Sequence, residues 1–228
     1  MPTTGVSGHL WSDAVVADLL TSERLSSYLT ACNSSLTDAM RLYEWNTFAC
    51  AAVIQTVALA EVITRNALDR RLTVWAASQS DSPSWLDVAP LDARGQADIA
   101  EARRRATRGG RLPEVHGKVV AELSFGFWRY LTTSQYFASL WVVTLNAGFP
   151  GAPGNAWQRR SQIERAMDRL GFVRNRAAHH EPIHRRDLSA DYAEGLALCG
   201  WVHPDAEAWA RAMSALPSVL QTKPVRRP

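Results

Sequence analysis

Residues 155–184 read NAWQRRSQIERAMDRLGFVRNRAAHHEPIH, and this stretch decides the fold class. Ile163, Met167, Leu170, Val173 and Ala177 recur at steps of three and four, which aligns them on one face of an α-helix. Asn155 offers a side-chain oxygen to the unpaired N–H groups of the first turn, and the preceding FPGAPGN (149–155) forbids an earlier start. Pro182 has no N–H to donate and clashes with the turn before it, so the helix is expected to end at His179 or His180.

The same helical period dominates outward in both directions, and no alternating apolar and polar run is long enough for a strand. An all-α chain is expected. A first helix is predicted over 12–31. Ser35 then opens S-L-T-D, a capping-box-like start, and the apolar pattern continues to 77. At ~1.5 Å per residue one helix of that length is too long for a compact domain, so a break is expected with Asn46 as cap. Loop composition covers 78–90, and Asp92 is expected to cap a helix to 106 that Gly109 and Gly110 end. Further helices are predicted over 113–131, 134–146, 189–199 and 204–215. The domain reading is an N-terminal helical extension (1–34), a main helical domain (35–216) and a flexible tail (217–228).

With 228 residues, 46% hydrophobic and 21% charged, the chain can bury a sizeable core, which excludes disorder as its main description. Cys32, Cys50 and Cys199 form no CxxC pair, which excludes a disulfide scaffold and a four-ligand zinc finger and fits a reducing compartment. A cytoplasmic protein without a membrane partner is expected. The N-terminus lacks the basic and apolar regions of a secretory signal, and the most apolar run, 50–63, is interrupted by Gln55 and Glu61. Charge is lopsided: segments 101–118 and 159–186 together hold fourteen of the 25 basic residues and five of the 22 acids. Arg predominates, and it is the better bidentate partner for phosphate, although genomic base composition produces the same preference.

Three of the six histidines fall in 173–184. One reading is a solvated helix end, where the macrodipole favours His. A second is zinc binding, since His180-Glu181-Pro182-Ile183-His184 matches H-E-x-x-H. Pro182 interrupts the continuous helix that motif needs, and no third ligand follows at helical spacing. The third reading starts from Arg174, Asn175 and His179, which spell R-N-x-x-x-H.

This motif sits in ordered company. LAEVITRNALDRRL (59–72), VVAELSFGFWRYL (119–131) and AHHEPIHRRDL (178–188) together resemble the Abi-like, abortive-infection branch of the HEPN superfamily, over roughly 42–209. The resemblance implies a HEPN-like helical bundle with additional helices. It also implies a metal-independent endoribonuclease in phage defence or acting as a toxin, a homodimer with RNA as partner, and no cofactor or metal. It leaves room for an antitoxin or a phage-derived trigger. In that reading His179 is the acid/base group, Arg174 stabilises the phosphate and Asn175 positions either. A non-catalytic RNA-binding or regulatory HEPN module is the main alternative, and a zinc hydrolase through HEPIH the third.

Geometry tests the assignment. At ~100° per residue Asn175 and His179 share a face, whereas Arg174 and His179 diverge by ~140° on one regular helix. A single regular helix does not close the site; the resemblance implies a dimer in which two copies of the motif meet, and the small Ala177 and Ala178 permit such close approach. Glu61, an acid within the apolar AVIQTVALAEVI, either pairs with Arg65 or orients Arg174 or His179 from behind. His180, Glu181 and His184 are further supporting candidates. Arg103, Arg104, Arg105, Arg176, Arg185 and Arg186 are the candidates for RNA phosphate. Trp128, Tyr130, Tyr136 and Trp141 are either core or a surface for stacking bases.

Overall fold

The computed structural model describes residues 11–79 and 84–224. Its α-helices are α1 (Asp13–Leu20), α2 (Ser22–Ala31), α3 (Leu36–Gln79), α4 (Trp85–Val88), α5 (Ala93–Ala106), α6 (His116–Glu122), α7 (Phe125–Leu131), α8 (Ala156–Ala178), α9 (Leu188–Val202), α10 (Pro204–Met213) and α11 (Leu216–Gln221). The described residues contain no strand, and the protein is all-α.

Several helix ends follow the local chemistry. Asn155 Oδ1 accepts from Gln158 N at 3.0 Å while Gln158 Oε1 accepts from Asn155 N at 3.0 Å, a reciprocal capping box that starts α8. Asp92 accepts from Gly95 N at 2.9 Å and starts α5.

Other expectations are corrected. The predicted 12–31 helix is two helices, divided at Thr21, whose φ is 71°. Nothing breaks α3 at Asn46. No Gly or Pro interrupts 36–79, and the Asn46 side chain is committed elsewhere. The predicted 113–131 helix divides because Ser124 Oγ takes the Phe127 N–H at 3.2 Å and opens a new helix. Over 134–146 the chain winds as a 3₁₀ turn (Ser134–Tyr136), a π turn (Phe137–Trp141) and a second 3₁₀ turn (Leu145–Gly148). Tyr136 and Trp141, five apart, are both buried, and burial outranks regular α-helical spacing here.

The described residues divide into two compact units: 11–55, 173–190 and 214–224 form unit 1, and 56–79, 84–172 and 191–213 form unit 2. The expected extension 1–34 is therefore not separate; its described residues belong to the unit that holds the histidine segment. The expected tail is corrected as well. Residues 216–221 are helical, Trp45 Nε1 donates to Val219 O at 2.8 Å, and 225–228 lie outside the described residues.

Unit 1 buries Leu25, Tyr28, Met40, Trp45, Val53, Val173, Ala177, Ile183 and Leu216. Unit 2 is built on aromatics. Trp85, Phe127 and Trp128 pack with centroids 5.3–6.3 Å apart, and Trp141 stacks on Phe149 at 6.0 Å. Trp128, Tyr136 and Trp141 are core, not a surface for stacking bases. Asp92 organises a second knot: Tyr130 Oη donates to it at 2.6 Å and Tyr136 Oη at 2.9 Å, and the bonds from Tyr130, the Gly95 N–H and Gln135 hold its carboxyl well below the usual range. One 18-residue window of α3 has mean hydropathy 1.7 and is by length and composition able to cross a membrane; 44% of it is buried.

Candidate functional site

Arg174, Asn175 and His179 all lie in unit 1, exposed, at the C-terminal end of α8. Helical bonding persists to the motif's last residue, since His179 N donates to Asn175 O at 3.0 Å. The ~140° divergence of Arg174 from His179 therefore applies within one chain. Arg174 Nη1 donates to Asn175 Oδ1 at 3.2 Å, so Asn175 orients the guanidinium.

The turn that follows is tightly built. Glu181 N donates to Arg176 O at 2.8 Å and His180 N to Ala177 O at 3.1 Å, the two bonds of a Schellman helix end. Its left-handed position, usually Gly, is His180 with φ 56°. Side chains distant in sequence fix the segment beyond it. Arg24 Nη2 donates to His180 O, and Asn46 Oδ1 accepts from Ile183 N at 2.8 Å within the core. Arg176 Nη2 donates to Pro182 O at 3.1 Å, with the Glu181 carboxylate at 3.4 Å from the same nitrogen.

His184 is buried, hydrogen-bonded through Nε2 to Ser27 Oγ at 2.8 Å, and lies against the Tyr28 ring at 4.9 Å. Burial, then the Arg185 and Lys223 cations, hold its pKa down to about 4. Lys223 Nζ donates to His184 O at 2.6 Å and sits 5.0 Å from the Trp45 ring centre. Burial also pushes Tyr28 up to about 12 and raises the Cys50 thiol.

The candidate residues thus separate. Arg174, Asn175 and His179 present side chains to solvent, as do His180 and Glu181, but His184 is sealed inside unit 1. The HEPIH segment is non-helical at 181–183, and no three His, Cys, Asp or Glu among the described residues are grouped to hold a metal ion. Glu61 is half-buried in unit 2, where Arg65 Nε donates to Asn66 Oδ1 at 3.4 Å.

The arginines assigned to phosphate are largely engaged within the protein. Arg103 pairs with Asp87 at 2.5 Å and Glu114 at 3.2 Å, Arg104 with Glu101 at 2.6 Å, and Arg105 with Glu122 at 3.0 Å and Glu101 at 3.3 Å. These carboxylates offset the positive charge that counting along the chain assigned to the run. Arg176 closes the turn described above, Arg185 Nη2 reaches Ser27 O at 3.4 Å, and Arg186 is half-buried.

Sequence reasoning missed Arg24, Ser27, Tyr28 and Lys223, and read Asn46 only as a cap. No local pattern marks them, because each reaches the histidine segment from a position far away in the chain. Comparison of the chain with protein-family models, curated proteins and solved structures finds no match.

Proposed function

We propose that the protein is a metal-independent endoribonuclease of the HEPN type, an Abi-like member acting as a homodimer in the cytoplasm, in phage defence or as a toxin. The observation that carries this reading is the exposed Arg174–Asn175–His179 constellation on a helix end braced from behind by Arg24, Asn46 and Arg176. Metal-free RNA cleavage needs a proton acceptor for the 2′-hydroxyl, a proton donor for the leaving 5′-oxygen and fixed positive charge at the phosphorane. The exposed imidazole of His179 can both accept and donate a proton, as those two steps require. A guanidinium held by Asn175 supplies fixed donors where charge develops. His179 is the acid/base group and Arg174 the phosphate clamp. The ~140° between them favours a site completed by the second copy of the motif.

The experiment uses end-labelled RNA with purified protein in excess EDTA. Cleavage persists, yields a 2′,3′-cyclic phosphate and a 5′-hydroxyl, and falls by at least ~100-fold in His179→Ala. Cleavage abolished by EDTA, or unchanged in His179→Ala, overturns the reading. RNA bound without being cut selects a regulatory RNA-binding module instead.

A further inference from the structure

Unit 1 holds a hollow of about 340 Å³, within the range of small-molecule sites. One wall is α3, on which Met40, Tyr43, Glu44, Thr47 and Phe48 recur at steps of three and four along a single face. Trp11 and, from α1, Val16 and Leu20 form the other. Three aromatic residues therefore border one space, and its surface is almost wholly apolar.

One residue of the α3 face breaks that character. Glu44 lies one turn after Met40 and one turn before Phe48, so an acid stands in the middle of the apolar row. It is half-buried, and its carboxylate makes no hydrogen bond or ion pair among the described residues. Asp13 falls on the same face of α1 as Val16 and Leu20, is also half-buried and also unpaired among the described residues, and α1 adds Asp18 but no base. The cations of this region are committed elsewhere. Arg41 is paired with Asp38 at 3.8 Å, and Arg24, 6.0 Å from the centre of the Tyr43 ring, donates to His180 O.

Unpaired acids disfavour an anion in the hollow, and apolar walls disfavour an ion that must keep its hydrogen bonds. We propose that the hollow binds a quaternary ammonium ion. Such an ion spreads its charge over methyl groups, needs no acceptor, and is drawn to aromatic rings. A carboxylate beside an apolar space attracts it without touching it, because the charge is weakly screened there. A primary ammonium brings three N–H donors that this lining cannot satisfy, since acceptors are few and the Thr47 hydroxyl is bonded to Tyr43 O at 3.1 Å. Binding at this site does not rest on the RNA-cleavage reading.

Calorimetric titration of the full chain with choline, with its uncharged isostere in which carbon replaces nitrogen, and with ethanolamine tests the proposal. Choline binds saturably with Kd below about 1 mM and at least ~10-fold more tightly than the other two. Glu44→Gln removes the charge at nearly constant shape, and Phe48→Leu keeps the wall apolar without its ring; each weakens choline binding at least ~5-fold while circular dichroism and thermal unfolding stay unchanged. Absence of saturable choline binding, equal binding of the uncharged isostere or of ethanolamine, or unchanged choline affinity in both folded variants overturns the proposal. Phosphatidylcholine vesicles identify the source of the ion: co-sedimentation that Glu44→Gln abolishes assigns the site to a lipid headgroup, and absence of co-sedimentation assigns it to a free ion.

Discussion

At the scale of single residues, His184 shows how a candidate for chemistry becomes a structural group. Its ring is buried between Ser27 Oγ and the Tyr28 ring, and its pKa of about 4 lies below the ordinary 6.5. The unfolded chain therefore takes up a proton between those two values that the folded chain refuses. Stability is complete above about pH 6.5 and declines as pH falls toward 4, with a slope of at most ~1.4 kcal/mol per pH unit. Urea unfolding followed from about pH 7.5 to about pH 5 should show this decline in the wild type, and His184→Gln should flatten it. Parallel curves for the two proteins would sink the assignment. The same burial removes His184 from proton transfer to an external substrate.

Among elements, the end of α8 is the feature with most leverage. His180 occupies the left-handed position of the Schellman turn, which for a residue with a Cβ costs about 1–2 kcal/mol relative to the right-handed form. His180→Gly relieves that cost against the greater freedom glycine has when unfolded, so the variant is expected to be neutral or up to about 1 kcal/mol more stable. The proposed RNA cleavage should persist, because the bond His180 supplies to Arg24 comes from its backbone carbonyl. Denaturant unfolding and the cleavage assay on the same preparation check both halves; a tenfold loss of cleavage in a stable variant would make the His180 ring part of the chemistry. α3 makes the complementary point. Asn46 sits inside it without ending it, because a buried side chain that satisfies the Ile183 N–H gains more there than it would as a cap.

For the molecule as a whole, the deciding question is stoichiometry. Under the proposed shared nuclease site, Arg174→Ala and His179→Ala chains are each expected to be inactive, and mixing them should restore part of the activity, because some heterodimers keep one Arg and one His between the two chains. Sedimentation of the wild type under assay conditions should show a dimer. An active monomer over the whole assayed range would overturn the shared site and require Arg174 and His179 to converge within one chain.

The all-α class, the capped starts of α5 and α8 and the stop near Pro182 were legible in the sequence, because they rest on contacts three or four residues apart. The R-N-x-x-x-H spacing and the divergence of its ends were legible for the same reason. The continuity of α3, the grouping of 11–55 with 173–190 and 214–224, and the π turn at Phe137–Trp141 were decided by tertiary packing. So were the fates of the arginines and histidines. Whether Arg103 meets Asp87 or a phosphate, and whether His184 faces solvent or Ser27, depends on partners brought close only by folding. Local spacing fixes which residues share a helix face; the partner across that face is chosen by burial and hydrogen-bond satisfaction over the whole chain.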